Sequence, residues 1–494
     1  MTIIRNAGNL TIVPKLLIGI TNMTDPFMQG RIMITKSIIN ALTDILGPEY
    51  VFTEAEDMMT YSYDAAVLDP QMPGIAVMPG NTEEMGRVVT LCHENGIPIT
   101  VRGAGTNLSG GTIPQGSGLV LLTGRLNQIL EINEADMYAV VQPGVVTASL
   151  AAAVEAKGLF YPPDPGSQAV STLGGNVAEN AGGLRGLKYG VTKDYVMGVQ
   201  FFDAQGRYVK SGSKTVKCAT GYNITGLMVG SEGTLGVLDQ ITLKLIPSPR
   251  ARHSLVAVYD TIDQASETVA AIIAARIVPA TLEILDNFTI RAVEDFSKAG
   301  LPVDAAALLL IEVDGHPVVV SEEGEKVEAL CQKMGATSVK AAATDEERDK
   351  IWAARRSALS ALAKLKPTLV LEDATVPRSK IPDMVKALQE IGAKYKIDIG
   401  TFGHAGDGNL HPTILTDKRN KQEWHRVESA IEEIFDKALG FGGTLSGEHG
   451  TGIAKAPFLE KEAGFSSILF SRRLRSALDP KNILNPGKIT GVSE

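Results

Sequence analysis

Two glycine-rich segments in the C-terminal half carry the residues best suited to chemistry. Gly403-His404-Ala405-Gly406-Asp407-Gly408-Asn409-Leu410-His411 sets two imidazoles seven positions apart. On a helix they would share a face, but Gly403, Gly406 and Gly408 argue against a helix. A bent loop that converges both rings on one point is expected instead. Ser446-Gly447-Glu448-His449-Gly450-Thr451-Gly452 supplies a carboxylate and a third imidazole. Two histidines and one carboxylate form a common divalent-metal set that leaves positions open for a substrate. Glu448 and His449 are adjacent and would point to opposite faces of a regular strand, so a loop or strand end is expected there. By itself the set permits a metal-dependent hydrolase.

Guanidinium groups are available for an anionic substrate. Trp352-Ala353-Ala354-Arg355-Arg356 lies in a helical stretch, and Val376-Pro377-Arg378 follows a strand. A carboxylate is gripped by arginine through two parallel hydrogen bonds. Helix neighbours diverge by about 100°, so Arg355 and Arg356 are not expected to share a role.

The third chemical signal is glycine. Arg102-Gly103-Ala104-Gly105-Thr106-Asn107-Leu108-Ser109-Gly110-Gly111 follows a strand and can turn backbone N–H groups toward phosphate oxygens. It fits neither the dinucleotide nor the nucleotide-triphosphate fingerprint, because no Gly-Lys-Ser/Thr follows and no helix opens at once. Pro163-Asp164-Pro165-Gly166-Ser167, then residues 171–183, then Tyr189-Gly190 form a second polar, glycine-rich surface, and 230–236 a third. Three such segments in one domain suggest a long cofactor with a pyrophosphate centre.

These residues need elements to hold them. Strand 75–79, a helix from Asn81 or Thr82 through Cys92 closed by Gly96, and strand 97–102 give an α/β opening. Strands 118–123 and 138–142, an alanine-rich helix 147–157, a poorly patterned stretch 162–190, and strands 196–202 and 234–245 follow. A boundary is expected at Pro247-Ser248-Pro249. Beyond it, helices 262–275, 322–334, 346–363 and 381–395 alternate with strands 255–259, 307–313 and 369–371. The division expected is an N-terminal extension 1–32, expected to be flexible, a cofactor-binding domain 33–249, an α+β cap or substrate domain 250–435, and a C-terminal segment 436–494 that returns to the site.

Composition narrows the class. The chain has 494 residues, 44% hydrophobic and 21% charged, enough for a large core. Lys+Arg 47 against Asp+Glu 56 leaves a net charge of −9, which argues against a nucleic-acid partner. Three scattered cysteines, Cys92, Cys218 and Cys331, support neither a disulfide framework nor an iron–sulfur cluster. They fit a reducing, cytoplasmic setting. No apolar run is long enough to span a membrane, so membrane association would come through a partner.

Over residues 33–490 the chain resembles the FAD-linked oxidase superfamily of the vanillyl-alcohol oxidase type, in its glycolate oxidase flavoprotein subunit and D-lactate dehydrogenase branch. The resemblance implies an α+β fold: a two-subdomain FAD-binding domain of the PCMH type, plus an α+β cap with an antiparallel sheet. It implies that Arg102, Gly103, Ala104, Gly105, Thr106, Asn107, Ser109 and Gly110 wrap the FAD pyrophosphate. Pro163, Asp164, Ser167, Thr172, Gly174, Gly175, Asn176, Ala178, Asn180, Gly182, Tyr189, Gly190, Glu232, Gly233, Gly236, Val237 and Asn485 would line the rest of the cofactor. Thr106 stands where covalent members carry His, so FAD is expected to be held non-covalently. His404, His411 and Glu448 are implied as ligands of Zn²⁺ or Fe²⁺ and His449 as the base. Arg355 is implied to contact substrate, and Arg378 would add a second positive group.

The implied activity is an FAD-dependent D-2-hydroxyacid dehydrogenase that passes a hydride to flavin N5. Relatives acting on D-2-hydroxyglutarate carry a lysine near the position of Leu371, so a short acid, D-lactate or glycolate, is expected. The larger acid is the alternative. Electrons would go to a protein partner, an iron–sulfur subunit or an electron-transferring flavoprotein.

Overall fold

The computed structural model describes residues 34–490; the extension expected over 1–32 lies outside them. Three large sheets and the two-stranded pair Leu159–Phe160 with Ile246–Pro247 organise the described residues.

The first sheet has the order Val51–Phe52, Ile75–Val77, Leu119–Leu122, Ile99–Arg102; its last three strands run parallel and Val51–Phe52 is antiparallel to them. Parallel neighbours need a crossover, and the helix Thr82–Asn95 provides it. Asn81 caps that helix by accepting from the Glu84 N–H, and Gly96 ends it in the left-handed region. Its face Met85, Val88, Val89 and Cys92 packs on Val77, Ile99 and Leu121. Ile483 and Leu484, from the far end of the chain, complete this core. There the Ile99 N–H donates to the Ile483 carbonyl at 2.6 Å, and the Asn485 N–H to that of Ile99 at 2.8 Å.

The second sheet is antiparallel, in the order Ile129–Asn133, Tyr138–Val141, Val237–Lys244, Val196–Phe202, Tyr208–Gly212. The third runs Ser338–Ala341, Ala251–Tyr259, Ala307–Gly315, Thr281–Asp286, Asp398–His404, Asn409–Thr416, Thr368–Leu371, all antiparallel, with Ala374–Thr375 beside Asn409–Thr416. Period-two alternation divides its faces. Leu282 and Ile284 join the core under the helices Ile262–Ala274, Pro317–Lys333, Ile381–Tyr395 and Lys421–Gly440. Leu285, Leu308, Phe402 and Leu415 face the other way, toward Asn287–Ser297, Asp345–Arg356 and Ala358–Ala363.

Several elements depart from expectation. The stretch 162–190 contains the helices Leu173–Glu179 and Gly186–Tyr189. The first is capped by the Thr172 hydroxyl, which accepts from the Gly175 N–H; its glycines hid it from propensity reasoning. The helix expected over 346–363 is two, broken at Ser357. Strands Thr281–Asp286, Asp398–His404 and Asn409–Thr416 fall where none was assigned.

Candidate active site

His404 and His411 sit on a β-hairpin, not in the bent loop expected from the sequence. Asp398–His404 pairs with Asn409–Thr416 in the register His404↔Asn409 and Phe402↔His411. Diagonal residues of an antiparallel pair share a face, so both imidazoles project to the same side. The turn between them is closed by the Gly408 N–H donating to the His404 carbonyl at 3.1 Å. Gly408 has φ +92°, and a Cβ there would overlap the Val376 carbonyl oxygen.

The strand Thr281–Asp286 places Glu283 directly opposite His404. Glu283 is fully buried. Its Oε1 lies 2.7 Å from His404 Nδ1, and its Oε2 accepts from Arg355 Nε at 2.7 Å. Burial pushes the Glu283 carboxyl up, but the Arg355 and His404 charges outweigh that and hold it below its ordinary value. Across the ring, His404 Nε2 lies 3.3 Å from Glu448 Oε1, and His411 Nε2 is at the same distance from the same oxygen. Burial pushes Glu448 up and both imidazoles down. The mutual charges and hydrogen bonds dominate, so the carboxyl is held well below its ordinary value and both rings above theirs.

Asp373, also fully buried, organises the loop that carries Glu448 and His449. Its Oδ2 accepts from the Ser446 hydroxyl at 2.9 Å and from the N–H groups of Glu448 and His449 at 3.2 and 3.0 Å. The buried Lys455 ammonium stands 3.4 Å away. Asp373 Oδ1 faces Nδ1 of both His411 and His449 at 3.5 Å. The His411 and His449 rings are stacked with centroids 5.2 Å apart. Burial lowers His449 to about 4, so its ring is neutral near pH 7.

The donor set fits a divalent cation. Both Nε2 atoms and a carboxylate oxygen converge, and His404 Nδ1 is hydrogen-bonded to Glu283, the way an imidazole ligand is oriented toward a metal; Asp373 Oδ1 faces His411 Nδ1 at 3.5 Å. A second group of potential donors, Asp373, His411, Glu448 and His449, lies within 4.8 Å of one another. Asp373 Oδ2 takes four hydrogen bonds, and its Oδ1 faces the Nδ1 side of the His411 and His449 rings, away from the Nε2 atoms that meet at Glu448, so His404, His411 and Glu448 are the better set.

These groups form one end of a cavity of about 810 Å³. The glycine segments form much of the rest of its wall, through Arg102 to Asn107, Ser167, Thr172, Gly174, Gly175, Asn176, Ala178, Gly182, Glu232, Gly233 and Gly236. A smaller cavity of about 390 Å³ shares Gly103, Ala104, Thr123 and Thr172 with it. The glycines are needed for space. A Cβ at Gly103 would overlap the Thr172 hydroxyl, one at Gly105 the Arg102 guanidinium, and one at Gly174 would stand 2.6 Å from Pro143 Cβ. An extended cofactor with a close-packed backbone cradle fits this wall.

Other expected residues stand behind the wall. Asn485 Nδ2 donates to the Gly111 and Glu232 carbonyls at 2.8 and 2.7 Å, tying two segments together. The Ser109 carbonyl accepts from the Ile453 and Ala454 N–H groups. Gly110 packs on Leu68, and Val237 lies in the core of the first sheet. Asp164 is buried against Arg185, beside Pro163. Asn180 accepts from the Lys193 N–H. Tyr189 donates to Asp314 at 2.8 Å, and Gly190 turns the chain after it with φ +81°. Arg378 is not delivered to the cavity: Pro377 turns the chain outward, and Arg378 sits exposed on the 3₁₀ turn Arg378–Lys380. Arg355, Arg356 and Leu371 all reach the wall, Arg355 buried and Arg356 exposed.

Four residues that touch or support the site escaped sequence reasoning. Asp64 and Glu179 line the cavity; Asp64 lies outside any glycine motif, and Glu179 was passed over inside one. Glu283 is a lone acid in an apolar run, and that was the available signal; Asp373 directly follows Glu372, so no such signal marked it.

Similar proteins now decide the family. Residues 73–212 match the family described as FAD binding domain, and residues 248–489 match FAD linked oxidases, C-terminal domain. The glycolate oxidase subunit GlcD of Bacillus subtilis is 54% identical over 92% of this chain and 97% of its own length. The chain belongs to the FAD-linked oxidase family. A D-lactate dehydrogenase of Anaerostipes hadrus is 34% identical over 92% of this chain and 98% of its own length. The solved structure of p-cresol methylhydroxylase with substrate bound shares the fold, with TM-score 0.78 at 17% identity over 92% of this chain and 96% of that one. The α+β, PCMH-type architecture is therefore as expected, and this FAD-linked oxidase is an FAD-dependent oxidoreductase. The metal-hydrolase alternative is set aside. Among the described residues no helix is long and apolar enough to cross a membrane.

Proposed function

We propose that this oxidoreductase oxidises a short D-2-hydroxy acid, D-lactate or glycolate, to the 2-oxo acid, with FAD held non-covalently. Its electrons leave to a separate protein, an iron–sulfur subunit or an electron-transferring flavoprotein, in the cytoplasm or at a membrane reached through that partner. The observation that carries the reading is the convergence of His404, His411 and Glu448 beside His449 on the wall that the glycine segments also form. The names of the relatives, a glycolate oxidase subunit and a D-lactate dehydrogenase, support the substrate class.

When bound, FAD supplies the acceptor for two electrons and the α-hydrogen, and a Zn²⁺ or Fe²⁺ ion held by His404, His411 and Glu448 supplies the positive charge that acidifies the hydroxyl. The remaining work belongs to side chains. His449 takes the hydroxyl proton at Nε2, the nitrogen on the Glu448 side, while the Asp373 carboxylate faces its Nδ1 at 3.5 Å. Arg355 grips the carboxylate. Glu283 occupies Nε and Nη2 of that guanidinium, which fixes its plane and leaves Nη1 for the substrate. Phe402, over which Arg355 stacks at 4.7 Å, and Leu371 keep the substrate end of the cavity apolar. Leu371 offers no partner to a second carboxylate, which disfavours D-2-hydroxyglutarate.

The test is anaerobic titration of the FAD-loaded protein with D-lactate, glycolate and D-2-hydroxyglutarate, following flavin absorbance. Bleaching by a short acid is expected, with the larger acid slower. Faster bleaching by D-2-hydroxyglutarate, or none by either short acid, overturns the assignment.

A further inference from the structure

Glu179 ends the helix Leu173–Glu179 and presents its carboxyl to the large cavity. Its Oε2 is buried and has no hydrogen-bond partner. Glycines lie on both sides of it. A Cβ at Gly111 would stand 2.6 Å from Oε1, and one at Gly450 would overlap Oε2. The carboxyl is thus wedged between the glycine loop and the segment that carries His449.

The neighbouring acids are satisfied. Glu232 accepts from the Thr451 and Gly452 N–H groups at 2.7 and 2.8 Å. Asp64 accepts from the Ala66 and Thr112 N–H groups at 3.0 and 3.2 Å. Glu179 is the one of the three left without a donor to neutralise it. Burial first, then the Glu232 and Asp64 charges, hold it well above its ordinary value, and Lys488 and Lys455 offset only part of this. The geometry leaves Oε2 as the unpartnered oxygen beside two satisfied acids. A buried polar group without a partner is destabilising, so a bound molecule is the natural acceptor.

We propose that Glu179 is a flavin-binding residue, a carboxylic acid that donates a hydrogen bond to an acceptor atom on the nitrogen and carbonyl edge of the isoalloxazine ring. Adjacency selects the ring end of FAD. Gly450 directly follows His449, and a Cβ at Gly182 would stand 2.7 Å from Glu448 Oε2. The smaller cavity at the other end of the glycine loop does not include Glu179. The inference rests on the reading of His449 as the group beside the reacting substrate. Hydrogen bonds to the ring nitrogens are among the ways a protein tunes flavin electronics. A donor at that edge binds the reduced ring more tightly, because negative charge builds there on reduction.

The experiment compares FAD-loaded wild type, Glu179→Gln and Glu179→Met. Glutamine keeps a donor, so its visible flavin band and midpoint potential should stay close to wild type. Methionine keeps bulk without a donor. It should shift the band, move the potential to a more negative value, and bind FAD about tenfold more weakly, the worth of one net hydrogen bond. An infrared difference spectrum between apo and FAD-loaded wild type gives a readout that does not depend on how Glu179→Met folds. A protonated-carboxyl stretch should move on FAD binding and be missing in Glu179→Gln. Wild-type band, potential and FAD affinity in Glu179→Met overturn the inference, as does the absence of a moving carboxyl stretch in wild type. Failure of the substrate reading shows separately, as a wild-type flavin that neither acid bleaches while the Glu179→Met differences persist.

Discussion

Glu283→Gln tests the electrostatic spine of the site. Glu283 is fully buried and holds Arg355 through Nε and Nη2 on one oxygen and His404 Nδ1 on the other. Glutamine has nearly the same shape but no charge, and its amide NH₂ meets N–H donors on at least one side. Removing one partner of a buried pair costs about 3–5 kcal/mol. The amide oxygen still accepts one hydrogen bond, which recovers about 1 kcal/mol. The expected loss is therefore about 2–4 kcal/mol in the unfolding of the metal-free protein, read by urea denaturation. The same change leaves His404 without the carboxylate that orients it. Loss of such a partner lowers metal affinity about 10–100-fold, measured by competition with a chromophoric chelator. FAD should be retained, because Glu283 is absent from the cavity wall formed by the glycine segments. A variant within about 0.5 kcal/mol of wild type and within about twofold in metal affinity would show that the Glu283 bridge neither braces the fold nor aims His404.

Three further outcomes follow from the geometry. Gly105→Val should abolish FAD retention, because Gly105 has φ +71° and its Cβ would overlap the Arg102 guanidinium; a variant that purifies fully yellow refutes the placement of the phosphate loop. His449→Asn should keep FAD and metal while slowing anaerobic flavin reduction about 10²–10⁴-fold, and a stopped-flow rate within a few-fold of wild type would mean another group takes the proton. Arg355→Lys should lower kcat/KM by about tenfold to a hundredfold, because an ammonium cannot serve Glu283 and a carboxylate in one plane; the exposed Arg356→Lys should change little, and the reverse ranking would move the carboxylate clamp to Arg356.

What the sequence made legible follows the chemistry. Glycine marks places where backbone must approach a ligand, so the segments at 102–107, 172–182 and 232–236 announced the long cavity they line. Histidine and glutamate flanked by glycine announced the donor set. The elements hardest to read were those whose local signals conflict with their fate. Leu173–Glu179 carries two consecutive glycines and is short; the Thr172 cap and its packing form it where propensity would not. Gly403 and Gly408 suggested a loop, yet the strands either side of the turn are long enough to pair and too buried to do otherwise.

Glu283 shows why the supporting residues stayed hidden. It lies 121 positions before His404, and only the pairing of two strands sets them opposite each other. Its sequence neighbours, Leu282 and Ile284, face the helix-covered core, so a slip of one residue would turn the carboxylate into that core and offer a leucine or isoleucine to the imidazole. The same alternation that buries the apolar residues therefore selects which acid braces the metal ligand. Asp373 is placed by a comparable device: Ala374–Thr375 pairs beside the histidine hairpin, and the residue before that short strand receives the backbone N–H groups of Glu448 and His449. Motifs identify groups that meet a ligand, but the charges that aim those groups arrive through strand register, which no motif spells out.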